Sequence, residues 1–212
     1  MNITWYGEGC FKIVESGITL LVDPFEKETG LSVPRFKADI LLKTVLKTPT
    51  QDEPKPLGGV QENIHLVTGP GQYEISGIKV NGWPLLKSST ENELHSAFKV
   101  ITADLRLGFL GHLTNVGDPE IVEEFGDIDI LFIPAGGDPY IDPSDAAKLI
   151  RQIGPRAVIP TFFQTQGLKR QAGELKDFLK EIGNVGEKPT TKLSIKAKDL
   201  TEKMQVFVLD IE

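Results

Sequence analysis

Three histidines, His65, His95 and His112, and a single cysteine, Cys10, are the side chains best suited to metal ligation or nucleophilic catalysis. A zinc site needs several imidazole, thiolate or carboxylate donors aimed at one point, usually from a tight local cluster. No such cluster is visible here. His112 by itself cannot hold an ion; His65 falls in an apolar, strand-like run and His95 in a polar stretch, so neither is an obvious partner. Cys10 sits among apolar residues, which favours a buried, inert thiol over a nucleophile. Gly69-Pro70-Gly71 and Gly136-Gly137 lack the following lysine and Ser/Thr of a phosphate-binding loop and read as tight turns.

The elements that must position these residues follow from the apolar periodicity. Short apolar runs at 3–6, 10–15, 18–22, 40–42, 64–68, 73–80, 98–102 and 106–110 predict strands. Pro24 ends the third run, because it lacks an N–H for the ladder and restrains Asp23 before it. Residues 48–62, with three prolines and two glycines, and the polar stretch 88–96 predict loops. Thereafter the period changes. Asp118-Pro119 and Asp142-Pro143 predict helix starts, and Gly126 and Gly154 the matching stops. A further amphipathic helix is expected over 173–182, with strands at 128–134, 157–160, 193–197 and 205–211. Strands first, then strand–helix alternation, then strands again fit a single domain of layered sheets with helices outside.

The 212 residues suffice for one sizeable core. A net charge of −7 disfavours nucleic acid as a partner, since phosphate backbones bind basic faces. No apolar run reaches the ~18 residues of a membrane helix. With one cysteine, no disulfide framework and no basic leader after Met1, a cytoplasmic location is expected.

Trp5-Tyr6-Gly7-Glu8-Gly9-Cys10-Phe11, Val22-Asp23-Pro24-Phe25, Ala38-Asp39-Ile40, Gly69-Pro70-Gly71, the stretch 129–137, Ile141-Asp142 and Val158-Ile159-Pro160 form an ordered set over nearly the whole chain. This set resembles the metallo-β-lactamase superfamily, in the branch of ascorbate-6-phosphate lactonase-like zinc hydrolases. The resemblance implies a four-layer αββα sandwich of two mixed sheets flanked by helices, with the active site at one edge between the sheets. It also implies a His-x-His-x-Asp-His metal loop. At the matching positions this chain has Val45, Lys47, Pro49 and Thr50. Lys87, His112 and Phe162 stand at the remaining ligand positions, and Glu8 replaces an early histidine.

The resemblance therefore carries two expectations. The first is a metal-free, non-catalytic homologue with no cofactor, whose old pocket is reused for a small anion or a partner. In that pocket Glu8, Lys47, Lys87 and His112 are the candidate residues, with a lysine expected to pair with Glu8. The alternative is a hydrolase of lactone or phosphoester substrates, working through a rebuilt metal-independent or atypical metal site. The resemblance leaves homo-oligomerisation open.

Overall fold

The structure is a computed structural model that describes residues 1–47, 64–117, 120–184, 186 and 188–212. The expected loop at 48–62 and the Asp118-Pro119 helix start lie outside the described residues.

Two mixed sheets face each other. The first runs β13 (Lys192–Ser194), β1 (Asn2–Gly7), β2 (Cys10–Glu15), β3 (Ile18–Val22), β4 (Ile40–Leu42) and β6 (His65–Val67). The second runs β14 (Gln205–Val206), β12 (Ala157–Thr161), β11 (Ile130–Pro134), β10 (Arg106–Phe109), β9 (Glu93–Ile101), β8 (Ile78–Pro84) and β7 (Gly71–Ile75), and β5 (Val45–Lys47) pairs with β9. Alternation along the strands sorts the faces. Phe11, Ile13, Leu20, Val22, Ile40 and Leu42 point into the main core, while Cys10, Leu21 and Leu41 form a smaller outer cluster with Phe25 and Phe36.

The centre of the core is aromatic. Phe132 stacks on Phe109 at 4.4 Å between centroids and meets Phe11 edge-on at 4.8 Å, so one ring joins both sheets. Strands β11 and β12 are buried at every position, as expected for parallel strands covered on both faces. Helix α2 (Pro143–Ile153) packs its apolar side on β11 and against α3 (Leu175–Ile182), and α1 (Glu120–Glu124) packs on α2.

Several local expectations change. The C-terminal strands expected at 193–197 and 205–211 shorten to Lys192–Ser194 and Gln205–Val206. Residues 93–96 are strand rather than loop, because pairing with β5 and β8 supplies the ladder that their polar side chains do not advertise. Residues 73–80 split into a hairpin at Ser76-Gly77. Helix α3 begins at Leu175 rather than 173, because the Gly173 carbonyl, which a helix would give to residue 177, accepts instead from the Gln164 N–H at 2.9 Å. Asp142 occupies the position before α2 without a side-chain capping bond. Its carbonyl accepts from Asp145 and Ala146 instead.

Replacing Phe132 by Ala should cost about 3–5 kcal/mol, the usual range for a buried aromatic truncation. Urea unfolding of Phe132→Ala measures it, and a loss under 1 kcal/mol would contradict a core centred on this ring.

Candidate functional site

Strand direction brings a set of loop residues to one edge. Glu8 follows β1, Asp23 follows β3, Thr44 follows β4, His112 lies beyond β10, Tyr140 beyond β11 and Phe162 directly after β12. In each sheet the relevant strands run parallel, β3 with β4 and β10 with β11 and β12, so their C-terminal ends converge. Such ends are where irregular backbone is free to present functional groups.

The centre of the site is a hydrogen-bonded chain. Asp23, 7 % exposed at its side chain, accepts the Thr44 N–H on Oδ1 and the Thr44 hydroxyl on Oδ2, both at 2.7 Å. The Thr44 Oγ1 lies 2.8 Å from His112 Nδ1. Because the Thr44 proton goes to Asp23, the hydroxyl oxygen must accept from His112 Nδ1–H. That tautomer leaves Nε2 with a lone pair and, among the described residues, no hydrogen-bond partner. Close approach is possible because residue 111 is glycine with φ +49°: a Cβ there would lie 2.2 Å from Thr44 Oγ1. Ser88 Oγ holds the segment beyond His112, accepting from Thr114 N–H at 3.0 Å and Asn115 N–H at 3.2 Å.

Burial moves both titrating groups toward their neutral forms. Desolvation pushes Asp23 up to about 6, against the lowering effect of its bonds from Thr44. It pushes His112 down to about 4, with His95 lowering it further. The His112 side chain remains 27 % exposed, so its free edge reaches solvent. His95 is buried beside it, donating Nδ1–H to the His112 carbonyl at 2.9 Å, and its Nε2 has no hydrogen bond but lies 3.5 Å from Glu93.

A second layer closes around this chain. Glu8 is held by Arg170 in a two-point pair, Nη2 to Oε2 at 2.8 Å and Nε to Oε1 at 3.1 Å, and Nη2 also donates to the Phe162 carbonyl at 2.9 Å. Phe162 sits at φ +57°, strained for a bulky residue, and its ring lies 4.8 Å from His112 and 4.4 Å from Tyr140. A Cβ on residue 9 would meet that ring at 2.6 Å, so Gly9 makes room for it.

The structure brings together only some of the residues singled out from sequence. Glu8, His112 and Phe162 converge. Lys47 ends β5 and is exposed, and Lys87 is exposed after β8. The cation beside Glu8 is Arg170, not the lysine expected, because the loop after β12 folds back over the Phe162 carbonyl. Val45 pairs with His95 across β5 and β9, and Pro49 and Thr50 lie outside the described residues. Sequence reasoning missed Thr44, Tyr140 and Arg170, set His95 aside as an unpromising partner, and used Asp23 as a strand terminator and as part of the resemblance but not as a site residue. Of these, Asp23-Pro24 gave a usable signal: an acid immediately after a fully apolar strand.

A di-metal centre does not fit these donors. Val45 and Phe162 offer hydrocarbon, and Lys47 an ammonium. Among the described residues no three His, Cys, Asp or Glu side chains are grouped to hold an ion.

Residues 2–162 match the family model described as Beta-lactamase superfamily domain. The chain is 24 % identical over 198 residues to a UPF0173 protein of Pyrococcus abyssi, covering 86 % of this chain and 90 % of that one. It is 25 % identical over 202 residues to a UPF0173 metal-dependent hydrolase of Pyrobaculum arsenaticum, covering 82 % and 89 %. A solved Thermotoga maritima structure, named for zinc-dependent hydrolysis within the metallo-beta-lactamase superfamily, matches with TM-score 0.79 and 25 % identity, over 100 % of this chain and 99 % of that one. The expectation of a metal-free, non-catalytic homologue is overturned by the Pyrobaculum arsenaticum and Thermotoga maritima relatives, which carry the names of metal- or zinc-dependent hydrolases.

The depressed His112 value fixes a sign. Between about 4 and 6.5 the unfolded chain takes up a proton that the folded chain refuses. The stabilising contribution of neutral His112 is therefore complete above 6.5 and is lost as pH falls toward 4. Asp23 acts oppositely: raised from 3.8 to about 6, it favours the folded state most below 3.8 and loses that contribution as pH rises through 6. His112→Gln, which can still donate to Thr44, should reduce the acid loss of stability by on the order of 1 kcal/mol. Urea unfolding at pH 7 and pH 4.5 measures this, and an equal loss in both proteins would contradict a neutral, buried His112.

Proposed function

The chain belongs to the beta-lactamase superfamily, and from that premise we propose that it is a hydrolase of lactone or phosphoester bonds with a rebuilt, metal-independent site. His112 is its general base, oriented by Thr44 and Asp23. The observation that carries the proposal is the buried Asp23–Thr44–His112 chain, which leaves Nε2 bare at the surface end. A base held in one tautomer by a carboxylate-backed partner is the arrangement that water activation needs. The strained backbone at Glu8, Asp23 and Phe162, with φ +49°, +39° and +57°, supports the same edge as the working one. The lactonase-like opening segments and the degenerate ligand positions Val45, Lys47 and Phe162 belong to this reading.

In it, His112 Nε2 takes a proton from water as the water oxygen attacks the substrate, and later returns that proton to the leaving oxygen. Thr44 and Asp23 hold the ring and face the positive charge that forms on it. Neutral His112 is the active form. The rate should therefore be level above about pH 7 and fall in acid, with apparent constants that belong to the Asp23–His112 pair and lie between about 4 and about 6.

Turnover of a lactone and of a phosphodiester tests the proposal. Wild-type protein should hydrolyse at least one of them, and His112→Gln should lower kcat by about 10²–10⁴, the usual contribution of a general base. Thr44→Val should lower it about tenfold or more by freeing the ring. Full activity in His112→Gln would rule out this base.

A further inference from the structure

We propose that Tyr140 is a further catalytic residue, donating its phenolic hydrogen bond to the oxygen that gains charge during attack, and that the substrate is a neutral carboxylic ester or lactone. This rests on His112 being the base.

Tyr140 packs edge-on against the ring of the base. Its ring lies 5.7 Å from the His112 ring and 4.4 Å from Phe162, with the Arg170 guanidinium carbon 5.2 Å from its centroid. Two backbone bonds fix that position. Tyr140 N–H donates to the Gly137 carbonyl at 2.9 Å, and Ile141 N–H donates to Leu113 at 3.1 Å, tying the tyrosine loop to the histidine loop. The ring is thus clamped on several sides. Its hydroxyl, among the described residues, takes no hydrogen bond. A clamped, half-buried phenol with an uncommitted O–H, on a ring set edge-on to that of the base, is a pre-organised donor for an oxyanion. Desolvation, reinforced by Glu8, raises its pKa above the ordinary phenol value, so the O–H is retained at neutral pH.

Charge decides the substrate class. Glu8 and Glu93 both act on His112, with Arg170 as the permanent cation among the described groups that reach it. Arg170 is already committed to Glu8 and to the Phe162 carbonyl. At Asp23, Lys43 offsets the carboxylate. Among these described groups, Glu8, Glu93 and Asp23 against Arg170 and Lys43, the balance is one net negative charge, which disfavours a phosphodiester and offers its oxygens no uncommitted cation from this set. A neutral carbonyl carries no such cost.

Water oxygen bonds to the carbonyl carbon while His112 Nε2 accepts its proton. The C=O π pair moves onto oxygen, where the Tyr140 O–H donates without transferring its proton. The pair returns as the C–O bond to the leaving alkoxide breaks, and His112 gives that alkoxide the proton.

The test is steady-state hydrolysis of p-nitrophenyl acetate, γ-thiobutyrolactone and bis(p-nitrophenyl) phosphate by wild type, Tyr140→Phe and His112→Gln, with Tm recorded for each. Tyr140→Phe keeps the ring and its packing. It should lower kcat on the ester and thiolactone by about 10²–10³, with KM within about twofold and Tm unchanged. The phosphodiester should be turned over at least about tenfold more slowly than the esters. Tyr140→Phe within twofold of wild type, while His112→Gln is inactive, overturns Tyr140 alone. A fall carried by KM together with a lowered Tm assigns Tyr140 a packing role and also overturns it. Faster turnover of the phosphodiester overturns the substrate class. Wild type inactive on all three overturns the His112 reading and this inference with it.

Discussion

One hydroxyl joins the two halves of this molecule at its working edge. Thr44 belongs to the first sheet, at the end of β4, and so does its acceptor Asp23, at the end of β3; His112 comes from the second sheet, beyond β10. The hydroxyl of Thr44 has one proton to give. Because Asp23 takes it, the direction of every hydrogen bond in the chain is fixed, and so is the histidine tautomer. The rest of the site follows from that constraint. Residue 111 must lack a side chain to let Thr44 approach, and Ser88 holds the irregular segment beyond His112. Leaving a buried carboxylate with two acceptor bonds is tolerable; leaving it with none would not be.

Around this chain the sequence places aromatic bulk rather than further polar donors. Phe162 fills the space between Gly9, His112 and Tyr140, and its strained backbone is secured at both polar atoms: its N–H donates to Glu8 at 3.4 Å and its carbonyl accepts from Arg170. The same Arg170 neutralises Glu8 and lies against the Tyr140 ring. The Glu8–Arg170 pair is therefore a clamp on the loop after β12, holding the aromatic wall against the base. Apolar walls raise Asp23 and depress His112 by desolvation, so burial pushes both groups toward their neutral forms.

Most of the fold was legible in the sequence because periodicity and turn chemistry are local. The β-rich first half, the apolar strands over 130–134 and 157–161, and the Gly154 helix stop are all carried by neighbouring residues. The first half of β9, residues 93–96, was hidden because His95 and Ser96 are polar yet buried, a fact set by pairing with β5 and β8. The site was less legible for the same reason. Glu8 and Phe162 were found only through resemblance, and only resemblance placed His112 at this edge. Thr44 and Tyr140 give no local signal, since a threonine after a strand and a tyrosine in a loop are ordinary. Their roles arise from contacts between segments far apart in the chain. The expected lysine partner for Glu8 failed on this point: charge type was inferred correctly, but Arg170 comes from a loop that no motif connects to residue 8.

The central claim is that side chains, with His112 as base, perform hydrolysis at this edge. Ester turnover before and after exhaustive dialysis against a chelator, with the metal content of both samples measured, tests it most directly. The account predicts that the rate of the dialysed protein stays within about twofold of the untreated rate. Loss of activity on dialysis, restored by stoichiometric zinc, would contradict it.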